Sequence, residues 1–397
     1  MTHEQGRLGG EYHGTQGPLF WLAVRTAMLT ALTLGVYRFW AKTRIRRYVW
    51  SSVGADGDAF EYTGTGLEKF LGFLAAIVIL AVYLGAVQMI LFYFGLTLFG
   101  AAETQAELFL QFGAFGITSL AILPLVFFAQ YRARRYRLAR TRWRGLRFGA
   151  EAAAWGYVWR AMIYWAIALL SLGLLWPLMT FRLAQYKADR SWYGNARFRQ
   201  NGRWTGLYAA MKQLFVALGL MVLAAIFAAI QLYVLAGLWA TLGAIWFSVG
   251  LLSYRVNAFV YLTENLVLEV PGADDVTFGT SPQTWNVLWQ MVGGSMAVFA
   301  ATGLVFGLLG AGPLLLIGLE AVPLHVLIVP SVLLYMLALA ISGALWLIWV
   351  AQPILRHVVT RCTAQGTGAL NGVAQRAGDS GADAEGFADA LDIGGAF

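Results

Sequence analysis

Residues 131–149 read Tyr131-Arg132-Ala133-Arg134-Arg135-Tyr136-Arg137-Leu138-Ala139-Arg140-Thr141-Arg142-Trp143-Arg144-Gly145-Leu146-Arg147-Phe148-Gly149, and the stretch just before them, 70–128, holds no Lys or Arg at all. The same sorting recurs along the chain. Residues 213–254 and 257–355 are also free of Lys and Arg, and a second basic stretch runs from Arg182 to Lys212. A soluble domain spreads its charge over its whole surface. A chain that separates charge into blocks of this length separates it across a bilayer.

Composition agrees. Of 397 residues, 59% are hydrophobic and 12% charged, with a mean hydropathy of +0.64, against about 25% charged in a soluble domain. The net charge is +8 and the pI about 9.6. The basic residues flank apolar segments, so this charge reads as positive-inside bias and attraction to anionic lipid, not as a nucleic-acid surface. The single cysteine, Cys362, allows no internal disulfide and no cysteine metal cluster. The polar start, 1–17, lacks the pattern of a cleaved leader, so the first apolar segment is expected to remain in the mature protein.

The apolar segments are 20–40, 70–99, 106–129, 155–181, 212–236, 238–256, 285–309 and 325–352. Each is near or above the length of about 20 residues that a crossing helix needs. Lipid leaves no partner for backbone groups, and barrel-like alternation is absent, so the segments should be helical. The expected fold is an all-α membrane protein, a polytopic helical bundle. Three transmembrane hairpins pair 70–99 with 106–129, 212–236 with 238–256, and 285–309 with 325–352. Their short connections carry Glu103, Glu107 and Glu320 and should face the periplasm.

The basic loops 41–69, 130–154 and 182–212 and both termini should face the cytoplasm. Segments 20–40 and 155–181 then create a parity conflict, because one crossing cannot return to its own side. Both carry an Arg near their start, Arg25 and Arg160, and both contain a break, Leu34-Gly35 and Trp176-Pro177. They read best as interfacial or re-entrant helices beside six full spans. The competing reading is eight ordinary spans with one basic loop outside. The chain thus divides into a polar N-terminal segment (1–19), a polytopic domain (20–363) and an acidic Gly/Ala-rich tail (364–397). The tail end, Gly386 to Ile393, alternates acidic and apolar residues and is expected to dock on the basic face.

The basic loops resemble one another. Tyr37-Arg38-Phe39-Trp40 with Arg46-Arg47-Tyr48, Tyr131-Arg132 with Arg134-Arg135-Tyr136, Phe181-Arg182 with Tyr186-Lys187 and Arg190-Ser191-Trp192, and a weaker Tyr254-Arg255 with Phe259-Val260-Tyr261 each follow an apolar segment. This spacing predicts internal repeats of one orientation. The chain resembles the YjgN family of uncharacterised bacterial inner-membrane proteins. The resemblance rests on Leu32-Thr33-Leu34-Gly35-Val36-Tyr37, Trp40-Ala41-Lys42, Phe60-Glu61-Tyr62-Thr63-Gly64, Trp143 to Gly149, and Ala388-Asp389-Ala390-Leu391-Asp392. It implies an inner-membrane location and supplies no activity, substrate or catalytic residue.

Several constellations are candidates for function. Arg134, Arg135, Arg142, Arg144 and Arg147, with Arg46, Arg47 and Arg190, sit where an anionic headgroup or solute could be held. Eight Arg and no Lys between 132 and 147 favour bidentate recognition over a bare topology signal. Against this stands an ordinary topological anchor with an aromatic belt. Arg25 and Arg160 lie in apolar segments, where a central Arg costs about 2.5–3.5 kcal/mol unless it snorkels to the surface. Gln88, Gln231 and Gln290, with Gln352, Asn286, Ser342 and His325, are intramembrane polar candidates for helix–helix hydrogen bonds or a polar path. Gly303 and Gly307 form a GxxxG pair suited to close helix packing.

No P-loop, GxSxG, GxGxxG or HExxH motif occurs, and His3, His13, His325 and His357 have no metal spacing. No enzyme activity, cofactor or metal is expected. Asp56, Asp58 and Glu61 read as a turn. The leading functional expectation is binding or translocation of a small anionic solute or lipid at the Arg-rich face. The alternative is a membrane scaffold or adaptor for a partner membrane protein. The expected partners are anionic membrane lipids, with a membrane-protein partner or a second copy of the chain beside them, and no nucleic acid.

Overall fold

A computed structural model describes residues 6–98, 104–318 and 324–376, of which 308–329 are described by backbone alone. Glu103, Glu320, His3, the side chain of His325 and the tail end at 386–393 lie outside what is described. The chain runs through β1 (Arg7–Tyr12), α1 (Gln16–Leu32), α2 (Arg38–Ser52), β2 (Val53–Ala55), β3 (Asp58–Ala59), β4 (Glu61–Tyr62), α3 (Gly66–Tyr93) and α4 (Gln105–Ala139). It continues through β5 (Thr141–Trp143), β6 (Leu146–Ala150), α5 (Ala154–Leu170), α6 (Trp176–Ala188), β7 (Ser191–Tyr193) and β8 (Ala196–Gln200). A tight helical stretch (Trp204–Met211) then leads into α7 (Lys212–Ala229), followed by α8 (Tyr233–Glu264), β9 (Leu266–Glu269), β10 (Val276–Thr280), α9 (Thr284–Gly318), α10 (Leu324–Trp346), α11 (Gln352–Val359) and β11 (Cys362–Gln365).

About 71% of the chain is helical, the class that the charge sorting predicts. Six helical stretches are long and apolar enough to cross a membrane: Gly66–Tyr93, Gln105–Ala139, Trp204–Ala229, Tyr233–Glu264, Thr284–Gly307 and Pro330–Val359. Their outward faces are apolar. Phe112 is 71% exposed and Phe299 81% exposed, a surface that water would penalise and lipid tails would not.

The chain forms two compact units, one of Met1–Glu61 with Arg199–Gly372 and one of Tyr62–Phe198 with Val373–Phe397. Each contains short strands that the sequence reading had only as extended loops. In the first unit the order is β3-β2-β1-β11-β10-β9, and in the second β8-β7-β6-β5-β4. Each basic stretch is therefore a helix end followed by a β-hairpin. Two of these hairpins turn through paired positive φ angles, Asp56 (56°) with Gly57 (76°) and Arg144 (48°) with Gly145 (75°). That is the I′ geometry whose twist matches flanking strands. Asp56 thus belongs to a turn, as its neighbours suggest.

The two shorter helix pairs break in the same way. In α1–α2, Gly35 N donates to Thr30 O at 2.7 Å with Leu34 at φ 50°, and in α5–α6, Gly173 N donates to Ala168 O at 2.8 Å with Leu172 at φ 51°. A left-handed residue followed by Gly satisfies the last carbonyls and stops the helix. The break in the second pair is thus at Leu172-Gly173 and not at Trp176-Pro177. Pro177 sits in the first turn of α6, where its missing N–H costs nothing. Helix α1 begins earlier than the apolar pattern suggests, so Arg25 lies in its third turn and not its first.

The first turns of the leading helices are capped from the helix that follows. Tyr48 Oη donates to Thr15 O (2.8 Å) and accepts from Thr15 N (3.0 Å). Tyr261 Oη does the same with Arg203 O (2.8 Å) and Arg203 N (3.0 Å). Tyr186 Oη donates to Ala153 O (2.9 Å), Tyr136 Oη to the Glu68 carboxylate (2.8 Å), and His357 Nε2 accepts from Gln283 N (3.1 Å). The Tyr48 and Tyr261 hydroxyls and the His357 ring thereby accept from backbone N–H groups that a helix start leaves without a partner.

Candidate functional site

The last turns of α4 and the hairpins beyond it gather most of the candidate arginines in the second unit, and each has a distinct setting. Arg135 Nε donates to Ala150 O at 3.0 Å and so ties α4 to β6. Arg142 and Arg147 face each other across the β5–β6 ladder, a like-charge pairing that is unfavourable unless an anion lies beside it. Arg144 stacks on Trp143 with its guanidinium 4.6 Å from the ring centre. Beside them the segment after residue 372 lies over β6 to β8. Arg147 N donates to Gln375 Oε1 (2.9 Å), Ala374 N to Asn195 Oδ1 (3.1 Å), and Arg376 stacks on Trp192 (4.8 Å).

Arg190 lies 3.8 Å from the centre of the Tyr186 ring and 3.7 Å from the Glu151 carboxylate. Arg160 reaches the same ring at 4.7 Å and donates to Gly156 O at 3.0 Å. An arginine on an apolar helix thus packs on the same aromatic ring as one from the basic stretch. The snug fit requires Gly156, because a Cβ there would collide with the Tyr186 hydroxyl.

Arg134 has a different environment. Its Nη2 donates to Ser191 Oγ at 3.3 Å, and its Nε is buried with no partner among the described residues. Lys187, at the end of α6, points its amine toward the Tyr157 ring, 5.8 Å from its centre. Burial, then the Arg134 and Arg137 charges, push the Lys187 ammonium down to about 8. The sequence reading quoted Lys187 within a repeat but did not select it. Only its place after Tyr186 in a helix end set it apart, and nothing in sequence reveals that α4 and α6 bring it beside Arg134.

The remaining candidates lie elsewhere. Arg46 is 5% exposed and stacks over Trp50 on α2, and Arg47 is exposed on the same helix. Arg25 is exposed on α1 and lines a groove with Trp21, Leu22, Met28 and Leu29. Gln88 Nε2 donates to Thr118 Oγ1 at 3.0 Å and joins α3 to α4. Gln231 is in the turn between α7 and α8, with φ 63°, and not on a helix. Gln290 buries its Oε1 in α9, and Gln352 Nε2 donates to Gly14 O at 3.2 Å.

Among the described residues no atom approaches a Cβ placed on Gly303 or Gly307, so that pair does not bring two described helix surfaces together. Gly294 does so: its Cβ would lie 2.9 Å from Trp349 O. Among the described residues no group of three or more His, Cys, Asp or Glu could hold a metal ion. Cys362 lies beside Thr280, and burial raises its thiol pKa.

Comparison with known proteins gives a family and no activity. The family model described as a bacterial protein of unknown function, DUF898, matches residues 7–390. The inner membrane protein YjgN of Escherichia coli O157:H7 is 24% identical over 169 residues, which is 43% of this chain and 37% of that protein. YjgN of Salmonella typhimurium is 26% identical over 161 residues, 40% of this chain and 36% of that protein. The matched region therefore spans little more than a third of the length of these curated relatives. No solved structure matches the chain. With nearly its whole length matched, the chain belongs to the DUF898 family, and it is similar to the YjgN inner-membrane proteins.

Proposed function

We propose that this is an inner-membrane protein that binds an anionic ligand, a lipid headgroup or a small anionic solute, at an arginine-rich cytoplasmic face. The location is supported by the inner-membrane relatives it resembles and by six helices of crossing length among the described residues. Six spans form three transmembrane hairpins. The α1–α2 and α5–α6 pairs re-enter on the basic side. Helices of 15 and 13 residues, α2 and α6, reach about 20 Å, short of a hydrocarbon layer of about 30 Å. Their tips, Leu34 and Leu172, are 91% and 93% exposed, which suits lipid. The repeated caps at Tyr48, Tyr136, Tyr186, Tyr261 and His357 support reading the helix pairs as five parallel repeats.

One observation carries the binding role: Arg142 and Arg147 stand directly opposite each other across the β5–β6 ladder, next to Arg144, a concentration of guanidinium groups suited to an anionic ligand. An anion relieves that crowding. Native mass spectrometry of the purified protein should find an anionic phospholipid retained. Changing Arg142, Arg144 and Arg147 together to Gln should remove most of it. Equal retention by both forms, or no selective lipid or anion in either, would return these arginines to a topological role.

A further inference from the structure

Arg134 and Lys187 are both deeply buried cations of the second unit, and the charge of Arg134 bears on Lys187. Neither has a carboxylate partner among the described residues. Glu151 is engaged by Arg190. Ser191 holds the pair in register: its hydroxyl donates to Lys187 O at 2.7 Å and accepts from Arg134 Nη2 at 3.3 Å. The serine proton is therefore used, and Ser191 is a positioning residue. What remains for a ligand is the buried Arg134 Nε, which has no partner, and the Lys187 ammonium above Tyr157.

Two like charges held together in a poorly hydrated place repel each other and lose solvation. A doubly charged tetrahedral oxyanion satisfies both. A guanidinium edge offers paired N–H donors to two oxygens, and an ammonium takes a third. Resting on the anion-binding reading above, we propose that Arg134 and Lys187, oriented by Ser191, bind the phosphate-type oxyanion of the ligand, whether a phospholipid headgroup or a free phosphate ester. Charged and titratable groups face Lys187 from each packed element: Arg134 and Arg137 on α4, Tyr157 on α5, and Ser191 on β7. No acid is among them. Occupancy therefore depends on the lysine proton, and binding weakens as pH rises through the range where Lys187 deprotonates, about 8.

The test uses the full chain in mild detergent and inorganic sulfate, which keeps its two charges across the pH range. Thermal unfolding is followed against sodium sulfate, with sodium chloride at matched ionic strength as reference. Ligand binding to the folded state raises the midpoint with concentration. Sulfate should stabilise the parent beyond chloride, with an affinity constant below pH 7.5 and falling above about 8. Arg134→Gln and Lys187→Met should each weaken sulfate about tenfold, the loss of one charge-assisted hydrogen bond. Lys187→Arg should fold, bind sulfate and lose the decline above pH 8.

Unchanged sulfate affinity in Arg134→Gln and Lys187→Met overturns the site. If those two fail to fold, a pH decline that persists in Lys187→Arg overturns it instead. Sulfate binding that survives Arg134→Gln but vanishes when Arg142, Arg144 and Arg147 are changed to Gln refutes this site and leaves the wider reading standing. No sulfate effect in the parent, together with no retained lipid, removes both. Repeating the titration in nanodiscs of phosphatidylglycerol and of phosphatidylcholine identifies the source. Suppression by the anionic lipid alone means a headgroup, and equal sulfate response in both means a soluble oxyanion.

Discussion

Replacing Glu68 with Ala should lower the stability of the protein by about 2–3 kcal/mol. Glu68 lies in the first turn of α3, where its backbone N–H donates to the Thr65 side chain. Its carboxylate receives three bonds. Arg140 donates from Nε (3.2 Å) and Nη2 (3.1 Å), and Tyr136 Oη donates at 2.8 Å. Tyr136 has no exposed surface, and Arg140 is only 17% exposed. Removing the acid strands two donors and leaves Arg140 without its counter-charge. Lys69, fully buried against the Tyr62 and Tyr136 rings, adds a second positive group to the same neighbourhood. The carboxylate is 37% exposed, so water offsets part of the loss and the value stays below that of a fully buried pair. Thermal unfolding of Glu68→Ala, Arg140→Ala and the double variant measures it. The double variant should cost clearly less than the two singles combined. Strict additivity would mean that the bidentate contact contributes little.

Gly10→Ala should be equally damaging, by about 3 kcal/mol, while Gly9→Ala stays within about 0.5 kcal/mol. The two glycines are neighbours on β1, and composition treats them alike. A Cβ on Gly10 would overlap the backbone carbonyl of Val359, at the end of α11. Backbone cannot swing aside as a side chain can. Gly10 is also paired with Ala55 across β1–β2, so β1 is held from both sides. A Cβ on Gly9 meets nothing within 4 Å. Fluorescence-detected thermal unfolding of the two variants side by side reads the difference, and equal midpoints would show that β1 does not pack on α11 this closely.

How much of this is legible in the sequence follows from the length of each signal. The six helices of crossing length fall mainly within stretches free of Lys and Arg, a signal too long for chance. The Leu34-Gly35 break is legible because Gly tolerates the left-handed turn that ends α1. The second break is misread, because Pro177 is the louder signal while Leu172-Gly173 is the geometric twin of the first. The strands escape notice for a different reason. Those in the basic stretches have two to five residues, too few to display a period of two. Asp56-Gly57 and Arg144-Gly145 did hold the clue, since both suit a two-residue hairpin turn. The candidate arginines were found as a group, but sequence could not divide them. Arg135 and Arg140 hold structure together, Arg190 pairs with Glu151, and Arg134 reaches Ser191 on a strand 57 residues away.

The central claim is that the basic β-hairpins all return to one side of the membrane, with six spans and two re-entrant helix pairs. Cysteine accessibility in intact cells tests it most directly. With Cys362 changed to Ser, single cysteines replace Asp56, Asn195 and Ala273 in the hairpin turns and Gln231 in the α7–α8 turn. The account predicts that a membrane-impermeant maleimide labels Gln231→Cys from outside, and labels Asp56→Cys, Asn195→Cys and Ala273→Cys only after permeabilisation. Labelling of Asp56→Cys or Asn195→Cys from outside would mean that a short helix pair crosses the bilayer, and the eight-span reading would replace this one.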